Sequence, residues 1–343
     1  MAAPGRLKVI GSRLLQAIPV VIGVIIVTFI LTRALPGDPA VYFAGTIADE
    51  ESIQEVREAL GLDKSMPEQF FYYVSDLLRG DLGTSLMTGL PVAQELGRRL
   101  PASLELTLVA LMISCVVAIP LGVLAATRPN SLADHACRVL VTAGVSLPTF
   151  FTGLVLIYVF YYVLGWAPPP LGRLDFIFLE PPQVTGFFLI DSVLAGDWET
   201  FWGAAKQLVL PAVTLALFTL APIARMTRAA MLQSLSSDYI RTARAAGLNG
   251  RTILYGYAFH NAMLPVVTTL GMVFSFTLGA NVLVEKVFAW PGIGSFAVDA
   301  LVASDYAAVQ GFVFVMALLF VALNLAIDIL YTLIDPRIGF DAA

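Results

Sequence analysis

The residues able to do chemistry are few, and their spacing assembles no reactive centre. His135 and His260 are the only histidines, and neither sits in an H-E-x-x-H or similar ligand pattern. Cys115 and Cys137 are the only cysteines, too few for a disulfide scaffold or a cysteine-rich zinc site. No G-x-S-x-G elbow offers a serine nucleophile. No G-x-x-x-x-G-K-[ST] loop is present to cradle the phosphates of a nucleotide. Glu105 and Asp328 lie at the edges of apolar runs, whereas a proton-coupled carrier places acids deeper. Asp328 follows Asn324 by one helical turn and reads better as half of a structural hydrogen-bonding pair than as a proton relay. The expectation is a chain without catalytic residues, without a metal and without a cofactor of its own.

The elements that would position any site are membrane-spanning. Apolar residues make up 58% of the 343 positions and charged residues 13%, too few charges to cover a soluble protein of this size. The same figures exclude disorder. A net charge of -5 without a dominant basic patch argues against nucleic acid. A helix crosses a bilayer with about 20 apolar residues. Six runs qualify: Leu14–Thr32, Leu106–Thr127, Val139–Trp166, Gln207–Ala224, Asn261–Val284 and Tyr306–Ile327. The first follows Arg6, Lys8 and Arg13, but it is longer than a signal-peptide core and no small-x-small site follows, so it reads as a retained span.

Arginine and lysine in short connections set the orientation. Arg128 and Arg138 follow the second span, and Arg225, Arg228, Arg241, Arg244 and Arg251 follow the fourth, against Asp238. The connections after the third and fifth spans are acidic. Both termini are therefore expected in the cytoplasm. Residues 33–103 would form an external helical subdomain. Pro36-Gly37-Asp38-Pro39 turns the chain, an acid-led helix ends at Gly61, and a second helix shows Phe70, Val74, Leu77 and Leu78 on one side. Residues 104–343 then hold the other five spans.

Two connecting segments stand out. In 225–260, Asp238 can cap a short helix over Tyr239–Ala246, Gly247 can end it, and Asn249-Gly250 can turn toward a second short helix. Ala243, Ala245 and Ala246 would leave a slim surface able to enter a partner's groove. An ordinary basic loop explains the composition at least as well. Trp290-Pro291-Gly292-Ile293-Gly294 implies backbone that is not plain helix, either a gate or re-entrant turn, or an interfacial tryptophan in a turn. Small residues recur every four positions at Ala110, Ser114, Ala118, Gly122 and Ala126, and at Gly271, Ser275 and Gly279. This spacing lets helices approach closely, and it marks the second and fifth spans as central.

Six blocks in order carry a family resemblance. They are Arg13-Leu14-Leu15 through Leu35-Pro36-Gly37-Asp38-Pro39; Leu60-Gly61-Leu62-Asp63 with Gly80-Asp81-Leu82-Gly83-Thr84-Ser85; Thr185-Gly186-Phe187 through Asp191; Asp238 to Gly247 followed by Asn261-Ala262-Met263-Leu264-Pro265; Glu285 to Gly294; and Asn324 to Arg337. Together they resemble the permease subunit of a binding-protein-dependent ABC importer, in the dipeptide/oligopeptide/nickel group, nearest its first, dipeptide-type permease. Arg244-Ala245-Ala246 stands where the wider family begins a Glu-Ala-Ala triplet, so no salt bridge is assigned there. Gln207 stands where histidine is frequent and receives no role.

The resemblance implies an all-α membrane permease of the bacterial plasma (inner) membrane that moves short peptides and is not an enzyme. Nickel chelates, glutathione and oligosaccharides are the related alternatives. It implies a homologous second permease, two cytoplasmic ABC ATPases that bind the ATP, and an external solute-binding protein. It makes Asp238, Tyr239, Arg241, Thr242, Ala243, Arg244, Ala245, Ala246 and Gly247 the helix that couples to the ATPase. Glu285, Trp290, Pro291, Gly292 and Gly294 become external gate candidates. A self-contained ion-coupled carrier and a membrane-embedded enzyme are the competing classes, and the shortage of deep acids and reactive clusters disfavours both.

Overall fold

The computed structural model describes residues 3–34, 39–44, 48–59 and 61–334. Among them the regular structure is helical, with one isolated antiparallel bridge between Thr84 and Pro91. The helices are α1 (Ala3–Ala34), α2 (Pro39–Ala44), α3 (Glu50–Ala59), α4 (Met66–Leu78), α5 (Val92–Thr127), α6 (Leu132–Ser146), α7 (Thr149–Leu156), α8 (Phe188–Ala195), α9 (Trp198–Leu235), α10 (Asp238–Ala245), α11 (His260–Val287), α12 (Ile293–Val302) and α13 (Tyr306–Ile334). Two π-helical stretches, Ile157–Val163 and Thr252–Phe259, extend α7 and lead into α11. Four described helices are long and apolar enough to cross a membrane: Val92–Thr127, Trp198–Leu235, Thr252–Val287 and Tyr306–Ile327. Shorter apolar stretches cover Ile18–Leu31, Thr149–Val163 and Ile293–Val302.

The chain forms two compact units. One comprises Met1–Leu100 with Gly292–Ala322, the other Pro101–Pro291 with Leu323–Ala343. In the first, local polar groups begin and end the short helices as their sequence suggests. Asp49 Oδ1 accepts from the Ser52 amide at 3.1 Å, and Glu68 accepts from the Ser65 amide at 3.0 Å. Gly61 adopts φ +65°, which lets the Leu62 amide reach the Arg57 carbonyl at 2.9 Å. The loop before α5 is held by fully buried Asp305, which accepts from Ser85 Oγ at 2.6 Å and from the Ala308 amide of α13 at 3.1 Å. α5 begins at Val92, so the end of the expected 33–103 segment is already continuous with the second span. Pro36-Gly37-Asp38 and Asp335-Pro336-Arg337 lie outside the described residues, as does the Asp328 side chain.

In the second unit α9 is the most enclosed span. Within its most apolar window 72% of residues are buried, against 44% for the span containing α11 and 33% for α5. The expectation that the second and fifth spans are the central ones is corrected accordingly. The α5 small-residue stripe does pack: Ala110, Ser114, Ala118 and Ala126 are buried. Ser114 Oγ donates to the Ala216 carbonyl at 3.0 Å and meets Thr219 Oγ1. The α11 stripe mostly does not. Gly271 is buried against Ile327, but a Cβ added at Gly279 would meet no atom of another element within 4 Å. The buried face of α11 runs instead through Thr269, Val273, Thr277, Asn281 and Glu285, because the β-branched and polar groups there find partners.

Two further expectations change. The third span, Val139–Trp166, is not one helix. Pro148 cannot donate, and its ring drives Leu147 to φ −111°, ψ 142°, so α6 stops and α7 starts anew. The fifth span is longer than expected, because helix continues from Arg251 through the π stretch into α11 without a break.

Glycines at equal sequence spacing therefore differ in consequence. A Cβ on Gly122 would lie 2.7 Å from Thr227 Cβ and 2.9 Å from the Ala224 carbonyl oxygen. Gly122→Val is expected to lower stability by about 1–3 kcal/mol, while Gly279→Ala stays near neutral, read by thermal unfolding in detergent.

Candidate functional site: the α9–α11 connector and the loop after α11

The connector starts where α9 ends. Ser234, buried, donates to the Ala258 carbonyl at 3.0 Å and meets Tyr239 Oη at 2.5 Å, so one hydroxyl ties α9, α10 and the π stretch together. Ser237, not Asp238, is the N-cap of α10, with extended backbone and its hydroxyl donating to the Ser234 carbonyl at 2.5 Å. Asp238 is the first helical residue. Its side chain is 92% exposed and pairs with Arg241 at 3.3 Å, a contact worth little in water.

α10 has two unlike faces. Ile240 and Ala243 are buried with Ala126, Ala230, Met231, Ile253, Ala258 and Ala262. Tyr239, Arg241, Thr242, Arg244, Ala245, Ala246 and Gly247 are exposed. Ala243 therefore belongs to the inner face, not to the slim outer surface expected of it. The helix ends as expected at Gly247, whose φ of +76° brings the Leu248 amide to the Ala243 carbonyl at 3.2 Å. Asn249 does not form a free turn with Gly250. It starts the next helix, its Oδ1 accepting from the Arg251 amide at 2.8 Å and its carbonyl from the Ile253 amide at 3.0 Å.

A charged clamp adjoins this region. Asp134 on α6 is fully buried and accepts from Arg228 Nε at 2.7 Å and Nη2 at 3.1 Å. The Asn130 amide adds a further donor to this carboxylate at 3.0 Å. Arg228, counted in the sequence as one of a basic run, is thus neutralised within the chain. His135 Nδ1 lies 2.9 Å from the Ser131 carbonyl at the start of α6, and His260 opens α11.

The loop after α11 is built around buried polar groups. Glu285 is 1% exposed, and its Oε1 accepts from Ser103 Oγ at 2.5 Å and Asn281 Nδ2 at 2.9 Å. Trp290 is also 1% exposed and donates from Nε1 to the Ala102 carbonyl at 2.9 Å. It is a buried anchor rather than an interfacial tryptophan. Ala289 takes φ +51°, and Gly172 packs so closely on its carbonyl that a Cβ there would sit at 2.8 Å. Pro291 is exposed and ends this unit. In the other unit, Gly292 and Gly294 are buried, and the Gly292 carbonyl accepts from the Phe296 amide at 3.2 Å to open α12.

The sequence reading missed the partner of Glu105. Arg173 Nη2 donates to Glu105 Oε2 at 2.6 Å and to the Gly186 carbonyl at 2.8 Å, with its guanidinium 3.5 Å from the Phe188 ring centroid. Glu105 Oε1 accepts from the Leu189 amide at 2.9 Å. Asp191 accepts from the Thr185 and Gly186 amides, both at 2.8 Å, closing the Thr185–Asp191 block on itself. Burial pushes its pKa up, but these hydrogen bonds together outweigh that and hold it low. An acid at the rim of an apolar run needs a partner, and Arg173 was the basic residue left to find.

Apolar helices that bury their polar groups in pairs define a multi-pass membrane protein, and the comparisons place it. The chain belongs to the family described as binding-protein-dependent transport system inner membrane component, which matches residues 118–340. The companion family for the N-terminal part of such components matches residues 6–107. The chain is 46% identical to the probable D,D-dipeptide transport system permease protein of Escherichia coli K12, over 97% of each chain. It is 42% identical to the di/tripeptide transport system permease protein of Pseudomonas aeruginosa UCBPP-PA14, over 97% of this chain and 98% of that one. It is 41% identical to the dipeptide transport system permease protein of E. coli K12, over the same shares.

Removing one member of a buried ion pair leaves the other uncompensated. Arg173→Gln is expected to cost about 3–5 kcal/mol, seen as a lowered thermal midpoint of the purified chain. An unchanged midpoint would show that the Glu105–Arg173 pair is not what holds the 167–197 segment.

Proposed function

We propose that this chain is the permease subunit of an ATP-driven importer of short peptides. The relatives named above are dipeptide and di/tripeptide permeases over almost their whole length, which supports this substrate class over nickel chelates, glutathione or oligosaccharides. The chain crosses the inner membrane six times with both termini in the cytoplasm. The first and third crossings are α1 and the broken pair α6–α7. Residues 33–103 stand outside, and residues 104–343 form the core. The chain works beside a homologous second permease, two cytoplasmic ATPases that bind the ATP, and an external solute-binding protein. It contributes no catalytic group, metal or cofactor.

In this reading α10 is the coupling helix. The supporting observation is its asymmetry, with Ile240 and Ala243 locked into the chain's own core while Arg241, Arg244, Ala245, Ala246 and Gly247 stay uncovered. Small side chains at the exposed end fit a groove, and the arginines suit an acidic rim. ATP binding draws the ATPases together and moves α10. Because α10 is stitched to α9 and to the helix leading into α11, the spans tilt with it. The Glu285–Trp290 loop with Pro291, Gly292 and Gly294 forms part of the external gate. Substrate then enters from the docked binding protein, and hydrolysis resets the bundle.

Two experiments test this. A mild-detergent pull-down from native membranes is expected to recover a second permease and phosphate-loop ATPases. Repeated recovery of the chain alone from active membranes would favour a self-contained carrier. Gly247→Val places a β-branched residue at φ +76°, at a strain of about 1–3 kcal/mol, and is expected to cut uptake about tenfold while ATP hydrolysis continues. Normal uptake by a normally inserted variant would refute the coupling role.

A further inference from the structure

The unit containing α1 and α4 holds a polar cavity of about 330 Å³ that the transport reading does not use. Its walls bring Arg33 and Lys64 together with Glu58 and Asp76. Among the described residues no ion pair joins any of these four, although all line one space.

The surroundings hold these charges in place without cancelling them. Gln69 Nε2 donates to the Leu62 and Lys64 carbonyls at 3.2 and 2.9 Å, which fixes its Oε1 toward Arg33 Nε and Nη2 at 3.4 and 3.3 Å. A guanidinium has five N–H donors, so most of Arg33 remains available. Lys64 Nζ stands 4.1 Å over the Tyr72 ring centroid. Tyr73, stacked on Phe29, also lines the cavity, and its buried hydroxyl has no hydrogen-bond partner. Burial lifts that phenol to about 12, so it keeps its proton to donate.

The position of the cavity is equally informative. Arg33 lies just beyond Leu31, where the apolar stretch of α1 ends. α4 turns Phe70 and Tyr73 onto Phe29. Its other side leaves Phe71 72% exposed and Leu78, two turns on, 84% exposed. A helix with an uncovered apolar face beside the end of a span lies at a bilayer surface. A lone anion in the cavity would face Glu58 and Asp76, and a lone cation would face Arg33 and Lys64. A ligand carrying both charges a short arm apart compensates all four.

We propose that this cavity binds the headgroup of a zwitterionic phospholipid with a primary ammonium. The phosphate sits against Arg33, Lys64 and the Tyr73 hydroxyl, and the ammonium against Glu58 and Asp76. The acyl chains lie beside Phe71 and Leu78. A primary ammonium has three N–H donors for the carboxylates, and a quaternary ammonium has none.

The test titrates the delipidated full-length chain in detergent with phosphatidylethanolamine, phosphatidylcholine or phosphatidylglycerol and counts bound lipids by native mass spectrometry. Phosphatidylethanolamine is expected to bind at about tenfold lower concentration than the other two. Glu58→Gln and Asp76→Asn, both at exposed positions, are each expected to remove that preference, and Asp76→Glu to keep it. Unchanged helix content and thermal midpoint would show that the variants remain folded. Equal binding of the three lipids, or a preference that survives both variants, would overturn the proposal. So would displacement of the lipid by a millimolar zwitterionic dipeptide. None of these readouts depends on transport.

Discussion

The rest of the connector depends on how the end of α9 is tied to the next two helical elements. A single buried hydroxyl, Ser234 Oγ, meets Tyr239 of α10 and the Ala258 carbonyl of the following π stretch. Ile240 and Ala243 add an apolar seam to the same place. A short helix is marginal alone in water, because nucleation costs more than one turn returns. α10 exists because this seam and Gly247 hold it. The same fixings that make it stable make it stiff, and stiffness is what a transmitting element requires.

The same economy governs the other polar groups. Glu105, Asp134, Asp191 and Glu285 are all buried, and each accepts at least two hydrogen bonds, at least one of them from outside its own helix. Each joins segments far apart or closes a block that sequence motifs had marked. In an apolar surrounding an unpaired carboxylate is costly, so each acid fixes the position of its donor. The loop after α11 is positioned in this way, with Glu285 and Trp290 both bonded to the α5 end.

Much of this was legible in the sequence. Long charge-free runs marked the spans, Gly61 and Gly247 marked helix ends, and the Asp238–Gly247 block located the connector. What could not be read was pairing. Arg228 counts toward orientation in the sequence although it belongs to Asp134, and nothing in the sequence joins Arg173 to Glu105. Ser237 rather than Asp238 occupies the N-cap position of α10, because residue type favours both and only backbone geometry separates them. The α11 glycines had the right spacing for close packing, but periodicity does not say which face meets a neighbour. The charge-free run Val139–Trp166 reads as one span, but the effect of Pro148 on Leu147 ends α6 and starts α7 separately.

The most direct test of the central claim is a distance between spin labels at Gln233, on α9, and Arg241, on α10, both exposed. It would be measured in proteoliposomes of the assembled transporter through the ATP cycle. The rigid-connector account expects one narrow distribution, the same with and without non-hydrolysable ATP. A distribution that broadens or shifts with nucleotide would show α10 moving independently of α9 and would contradict the account.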